Sequence, residues 1–136
     1  MATILLKTEP GEYSFEDLVR ERTTVWRGVS AAPALKAMRE ARKGDAALMY
    51  HTGAERAVVG TATLTSDPYP DPEADDPRLV VFDIKAGKPL AKPVSLAAMK
   101  ADPRFKDFVL LRQGRLSVVP VPPSLAKLIL ALGGSA

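Results

Sequence analysis

Eight residues near the middle of the chain limit its fold more than any others. Between Val58 and Thr65, Val58, Ala62 and Leu64 fall on one face of a period-two repeat, and Thr61, Thr63 and Thr65 fall on the other. That period is the mark of a half-buried strand. Thr3–Lys7 and the apolar Ala47–Thr52 read as two earlier strands, and Leu79–Ile84 and Leu116–Val121 as two later ones. Residues 67–78 hold four prolines and five acids and are expected to form a loop.

Short helices are expected between the strands. Ser14 is placed as an N-cap, with Asp17 three residues on in a capping-box position. Phe15, Leu18 and Val19 then share one helical face. Ser30 is the N-cap expected for a second helix, with Pro33 tolerated in its first turn. Its Leu35 and Met38 point one way and Lys36, Arg39 and Lys43 another, before a turn at Gly44-Asp45. Pro89 and Pro93 bracket an expected connection, and Ser95 caps a helix reaching Lys100. After Pro122-Pro123-Ser124, Leu125, Leu128, Ile129 and Leu132 recur at i, i+3, i+4 and i+7, the clearest amphipathic signal in the chain. Antiparallel strands with helices packed around them imply an α+β fold or a small, partly closed barrel. No strand–Gly-rich-loop–helix unit is present, so dinucleotide and P-loop sites are not expected. At 136 residues, without internal repeat or linker, the chain fits one domain.

Residue usage narrows the chemistry. There is no Cys, so thiolate nucleophiles, thiolate metal sites and disulfides are excluded, and there is one His, His51. A Ser-His-Asp triad would have to use it, and no G-x-S-x-G elbow exposes a serine. The carboxylate pairs Glu16-Asp17 and Asp75-Asp76 fit a helix start and a proline-rich loop better than acid–base work. Catalysis, a metal and a cofactor are therefore not expected. No apolar run approaches the ~20 residues of a membrane span, and Glu9 comes too early for a secretory signal. The expectation is a cytoplasmic protein with no membrane partner, its oligomeric state left open.

Net charge is +3, but residues 67–83 hold six acids and only Arg78 as a base, a local −5 that leaves +8 on the rest. A basic body with one acidic loop can present a positive face to phosphate, although a solvated surface of mixed charge explains it equally well.

Four segments carry more information together than apart: Lys7-Thr8-Glu9-Pro10, Trp26-Arg27-Gly28-Val29, Tyr50-His51-Thr52 and Arg112-Gln113-Gly114-Arg115-Leu116-Ser117-Val118. In this order and spacing the chain resembles the EVE domain of the thymocyte nuclear protein 1-like family, within the PUA-like superfamily. Tyr13-Ser14, Tyr69-Pro70-Asp71-Pro72, Pro93-Val94-Ser95-Leu96 and Ala101-Asp102-Pro103 support the match, which runs from about Ile4 to Leu132. The resemblance implies a PUA-like β pseudobarrel flanked by short α-helices, with a central pocket. It also implies a non-catalytic module that recognises nucleic acid carrying a modified base, chiefly modified cytosine in DNA. Relatives of this family read methylated adenine in RNA, so modified DNA or RNA is the expected partner. One departure stands out: where many members follow Gly-Val with Arg-Asn, this chain has Ser30-Ala31, and two polar groups able to meet a ligand or phosphate are missing.

The expected ligand-binding set is Lys7, Thr8, Trp26, Gly28, Val29, Tyr50, His51, Arg112, Gln113 and Ser117. Trp26 offers the largest flat apolar surface for a base, with a core role as its alternative. Gly28 lets backbone approach a ligand. Tyr50 and His51 are strand neighbours and point to opposite faces, so only one faces a pocket directly. His51 can donate to or accept from a base edge, or serve as a satisfied structural histidine. Thr8 supplies a hydroxyl and Glu9 an acceptor for an exocyclic amine. Arg112 and Gln113, just before the last strand, suit phosphate or a base edge. A pocket for a free nucleoside and a protein-binding surface on the C-terminal helix remain as alternatives.

Overall fold

The computed structural model describes residues 2–134. In chain order its strands are β1 (Thr3–Thr8), β2 (Thr23–Trp26), β3 (Ala46–His51), β4 (Ala57–Leu64), β5 (Tyr69–Pro70), β6 (Val80–Ser95) and β7 (Val118–Val121). Its helices are α1 (Phe15–Glu21), α2 (Ala32–Glu40), α3 (Leu96–Ala101), α4 (Val109–Arg112) and α5 (Pro123–Leu132), with a 3-10 turn at Pro103–Phe105. This is an α+β architecture. The sheet runs β2-β6-β4-β3-β1-β7, with β5 paired to β6. All pairings are antiparallel except β1 with β3, which run parallel. That pair corrects the all-antiparallel expectation: α1, β2 and α2 lie between β1 and β3, long enough for a crossover.

Period-two alternation sorts the side chains into two cores. Ile4, Leu6, Ala47, Met49, Ala62, Leu64, Phe82 and Ile84 face α1 and α2 on an inner side. Leu5, Leu48, Tyr50, Val58, Val94 and Val119 face α3, α4 and α5 on an outer side. Ser14 forms the expected capping box with Asp17 at the start of α1. Phe15 and Leu18 are buried there, whereas Val19 stays 45% exposed, one position round the helix from the buried face. Phe15 presses so closely on β4 that a Cβ at Gly60 would lie 2.4 Å from its ring.

Several boundaries differ from the sequence reading. The N-cap of α2 is Ala31, not Ser30, and it makes no side-chain cap; α2 ends at Glu40, so Lys43 lies beyond it. β2 was not anticipated, because Thr23–Trp26 is short and lies at the edge of the sheet. β7 begins at Val118, and α4 occupies residues that carry no four-residue helical signal. The largest correction concerns residues 85–95. They are not a connection but the second half of β6, paired with β4 at Lys85, Ala86, Pro89, Val94 and Ser95. Between the Ala62↔Ala86, Gly60↔Pro89 and Val58↔Val94 pairs, β6 spends more residues than β4. Pro93 sits in the longer of these irregularities and Pro89 at the pair that separates them, where a strand tolerates a missing N–H.

In α5, Ala126 and Ile129 are buried, and Leu125, Leu128, Leu130 and Leu132 pack against the outer core. Its apolar face is thus consumed internally. Among the described residues Val19 is the one exposed large hydrophobic, and no helix is long and apolar enough to cross a membrane.

Candidate functional site

The two ends of the sheet curl toward each other without joining. β2 faces the end of β1 and the segment entering β7, and the space between them is a pocket of about 630 Å³. That volume suits a small ligand. One edge is fixed by the Lys7 N–H, which donates to the Ser117 carbonyl at 3.0 Å. Lys7, Thr8, Trp26, Gly28, Val29 and Ser117 of the expected set line it, together with Glu9, Glu12, Tyr13, Thr24, Val25 and Arg27.

Trp26 stands at the end of β2, 8% exposed, with Tyr13 edge-on at 6.3 Å between ring centroids. The indole is therefore held by the core and still borders open space. Gly28 takes a left-handed φ of +85°, which lets the chain turn sharply after Trp26-Arg27. The pocket lining stops at Val29; Ser30 and Ala31 are exposed beyond it.

The polar groups of the pocket are mostly committed. The Thr8 hydroxyl donates to the Tyr13 carbonyl at 2.6 Å, which leaves its lone pairs as acceptors. The Tyr13 hydroxyl donates to Glu21 at 2.6 Å. Burial first, and this carboxylate second, push the Tyr13 phenol up to about 12. Glu9 accepts from the Gly11 N–H at 3.2 Å and the Thr52 hydroxyl at 3.3 Å. Glu12 makes no hydrogen bond or ion pair through its carboxylate among the described residues. Arg27, at the rim, is paired with Glu73 and lies 3.9 Å from Asp71, so two acids of the proline-rich loop hold the pocket's guanidinium.

Four expected residues are not in this pocket. Tyr50 pairs in register with Lys7 and points with it to the outer side of the sheet, where it joins the outer core. His51 points inward but is 3% exposed and fully engaged. Its Nε2 accepts from the Phe15 N–H at 2.9 Å, and its Nδ1 lies 2.6 Å from Glu55. The proton is therefore on Nδ1, and the imidazole ties the start of α1 to the end of β3. Arg112 is exposed at the end of α4 and pairs with Asp107 at 3.0 Å, while Gln113 is the exposed C-cap. The Arg112–Val118 segment matters through its backbone: the carbonyls of Gly114 and Ser117 hold the Lys7 ammonium and N–H.

The sequence model of the EVE domain matches residues 3–132. The chain belongs to the EVE domain family. Human thymocyte nuclear protein 1 is 24% identical, over 94% of this chain and 72% of that protein. A Rhodopseudomonas palustris protein solved by NMR is 40% identical, with a TM-score of 0.93 over 98% of this chain and 94% of that one. The crystal structure of human THYN1 in complex with 5-methylcytosine-containing DNA superimposes with a TM-score of 0.90 at 23% identity, covering 100% and 99% of the two chains. The pseudobarrel of this EVE domain is thus the PUA-like fold its sequence implied.

Of the pocket residues outside the expected set, Tyr13 and Arg27 lie inside the segments that carried the family resemblance. Thr24 and Val25 went unnoticed with the strand that holds them. Glu12 had no signal of its own: it reaches the pocket because the Glu12 and Tyr13 N–H groups both bond to the Glu9 carbonyl, folding the turn after β1.

Proposed function

We propose that this EVE domain is a non-catalytic reader of a modified base in nucleic acid, with modified cytosine in DNA as the favoured ligand. The observation that carries this reading is the pairing of an indole wall with carboxylate acceptors in one pocket, Glu12 being without a hydrogen bond or ion pair among the described residues. Trp26 offers a stacking surface, and Glu12 and Glu9 offer acceptors. Cytosine presents an exocyclic amine donor, which a carboxylate accepts, whereas thymine does not. The THYN1 structure with 5-methylcytosine-containing DNA supports the same choice by likeness of fold.

Magnitudes shape the mechanism. Extruding a base from a duplex costs a few kcal/mol, and one aromatic stack contributes about 1–3 kcal/mol. The pocket alone therefore leaves little net affinity, and contacts to phosphate supply the remainder with strong salt dependence. Burying one methyl contributes about 0.8 kcal/mol, less than a tenfold preference. A sharp reader must also penalise the unmodified base.

The test is binding to short oligonucleotides, DNA and RNA, single- and double-stranded, carrying modified or unmodified cytosine and adenine. One modification binds tightest, and Trp26→Ala weakens it by about 5- to 100-fold. Unchanged binding of every modified oligonucleotide by Trp26→Ala removes the reading. A free nucleoside is the second reading, because the pocket's guanidinium is already paired with Glu73; affinity insensitive to salt would favour it.

A further inference from the structure

A second depression, of about 250 Å³, lies beside the same end of β1, lined by Lys7, Tyr50, Gly53, Arg56, Leu110 and Gly114 among others. The Trp26 pocket balances Lys7 and Arg27 against Glu9 and Glu12, whereas the charged residues lining this depression are Lys7 and Arg56 alone. The Lys7 ammonium donates to the Gly114 carbonyl at 2.8 Å and sits 5.7 Å from the centre of the Tyr50 ring. The Arg56 Nε donates to the Gly53 carbonyl at 3.1 Å. Neither cation is paired with a carboxylate among the described residues, although five other arginines are. The Lys7 ammonium has three donors and Arg56 five, so both retain N–H groups for a further acceptor. Burial also holds the Lys7 ammonium below the ordinary lysine range, a cost that an anion beside it relieves.

The acids nearby are otherwise engaged. Glu55, in the same turn, is tied to His51 Nδ1. Glu9 packs against Gly53 but lines the Trp26 pocket, not this one. The Trp26 pocket is poorly suited to phosphate, since it carries Glu9 and Glu12 and its Arg27 is held by Glu73. Lys7 borders both depressions, so a chain can pass from one to the other across a single residue.

We propose that this second depression is a phosphodiester subsite, which takes a backbone phosphate flanking the base seated in the Trp26 pocket. The proposal rests on the reader function above. Lys7 and Arg56 supply the charge and the donors. Tyr50 and the Gly114 carbonyl hold the ammonium in place, and the guanidinium fork suits two phosphate oxygens.

The test uses Arg56→Gln, with Arg56→Lys as the charge-retaining control; Arg56 is exposed, and it is absent from the Trp26 pocket. Binding of a 5-methylcytosine-containing duplex and of its unmodified counterpart is measured across a salt series. Arg56→Gln is expected to reduce the slope of log affinity against log salt by about 0.9, the increment of one phosphate contact on duplex DNA. Arg56→Lys restores it, and the preference for the modified base is unchanged in both. If the wild-type chain shows no such preference, the reader function fails, while a slope change on either duplex still supports the phosphate contact. A slope equal to wild type in Arg56→Gln overturns the proposal. In parallel, inorganic phosphate is titrated against chloride at equal ionic strength and followed by amide shifts. Shifts centred on Gly53, Arg56 and Gly114 in wild type, lost in Arg56→Gln, support the site, and their absence overturns it. Localised shifts with an unchanged DNA slope indicate a free-anion site and overturn the backbone assignment.

Discussion

The two depressions beside the end of β1 share Lys7 and differ in nearly everything else. One is walled by Trp26 and Tyr13 and bordered by Glu9 and Glu12. The other is walled by Tyr50 and bordered by Lys7 and Arg56. Both contain an aromatic ring held by a packed core, so an aromatic side chain does not by itself identify a base site. The side of the sheet and the carboxylates beside the ring do. A strand's period of two lets adjacent residues serve different sites, and here it turns Tyr50 to the outer side of the sheet and His51 to the inner one.

The sharpest way to break this comparison is to remove each ring in turn. Both are largely buried, Trp26 at 8% and Tyr50 at 4% exposure. Trp26→Ala and Tyr50→Ala are each expected to lose about 3–5 kcal/mol of stability in urea denaturation. They part in binding: the folded fraction of Trp26→Ala loses base discrimination, whereas that of Tyr50→Ala keeps it and shows a shallower salt dependence. Next in size is His51→Ala, which leaves the buried Phe15 N–H without its acceptor. A loss of about 1–3 kcal/mol is expected, with discrimination intact; lost discrimination would make His51 a pocket residue after all.

Smaller effects sharpen the charge contrast. Glu73→Gln removes the main carboxylate on Arg27 and leaves only Asp71 beside that cation at the rim of the Trp26 pocket. Exposed pairs are worth up to about 1 kcal/mol, so DNA affinity should rise by at most about fivefold, most clearly at low salt. The smallest effect is alkaline. Tyr13 is raised to about 12 from 10.0, by burial and then by Glu21. The folded chain keeps this phenolic proton after the unfolded chain has lost it. The contribution is whole below pH 10 and lost as pH rises to about 12. Tyr13→Phe should flatten the stability profile in that window alone.

Much of the fold was legible because local signals agreed with the tertiary structure. The Ser14–Asp17 capping box and the leucine spacing of α5 hold in the structure, and so does the alternation of β4 from Thr61 to Leu64; the irregularities around Gly60 turn Val58 to the outer core, away from Ala62 and Leu64. The second half of β6 was not legible, since Pro89 and Pro93 are loop signals unless bulges absorb them, and bulges depend on the partner strand. At the site, Trp26, Gly28 and Val29 could be placed because they are contiguous. Alternation separated Tyr50 from His51 but could not say which face held the pocket. Neither residue lines it: one belongs to the outer core and the other to a hydrogen-bonded joint. Arg112 and Gln113 lie outside the pocket, and their segment reaches Lys7 through backbone carbonyls, which sequence does not display. Arg56 had no signal beyond being a base in a turn.

Trp26 is the chain's single tryptophan, so its fluorescence reports on the pocket without labelling. The most direct test of the account is a titration of the wild-type chain with a 5-methylcytosine-containing duplex and the same duplex unmodified, at equal salt. The account predicts a saturable change in Trp26 emission at a lower concentration of the modified duplex. Binding of both duplexes with no change in emission would place the nucleic acid away from Trp26 and contradict it.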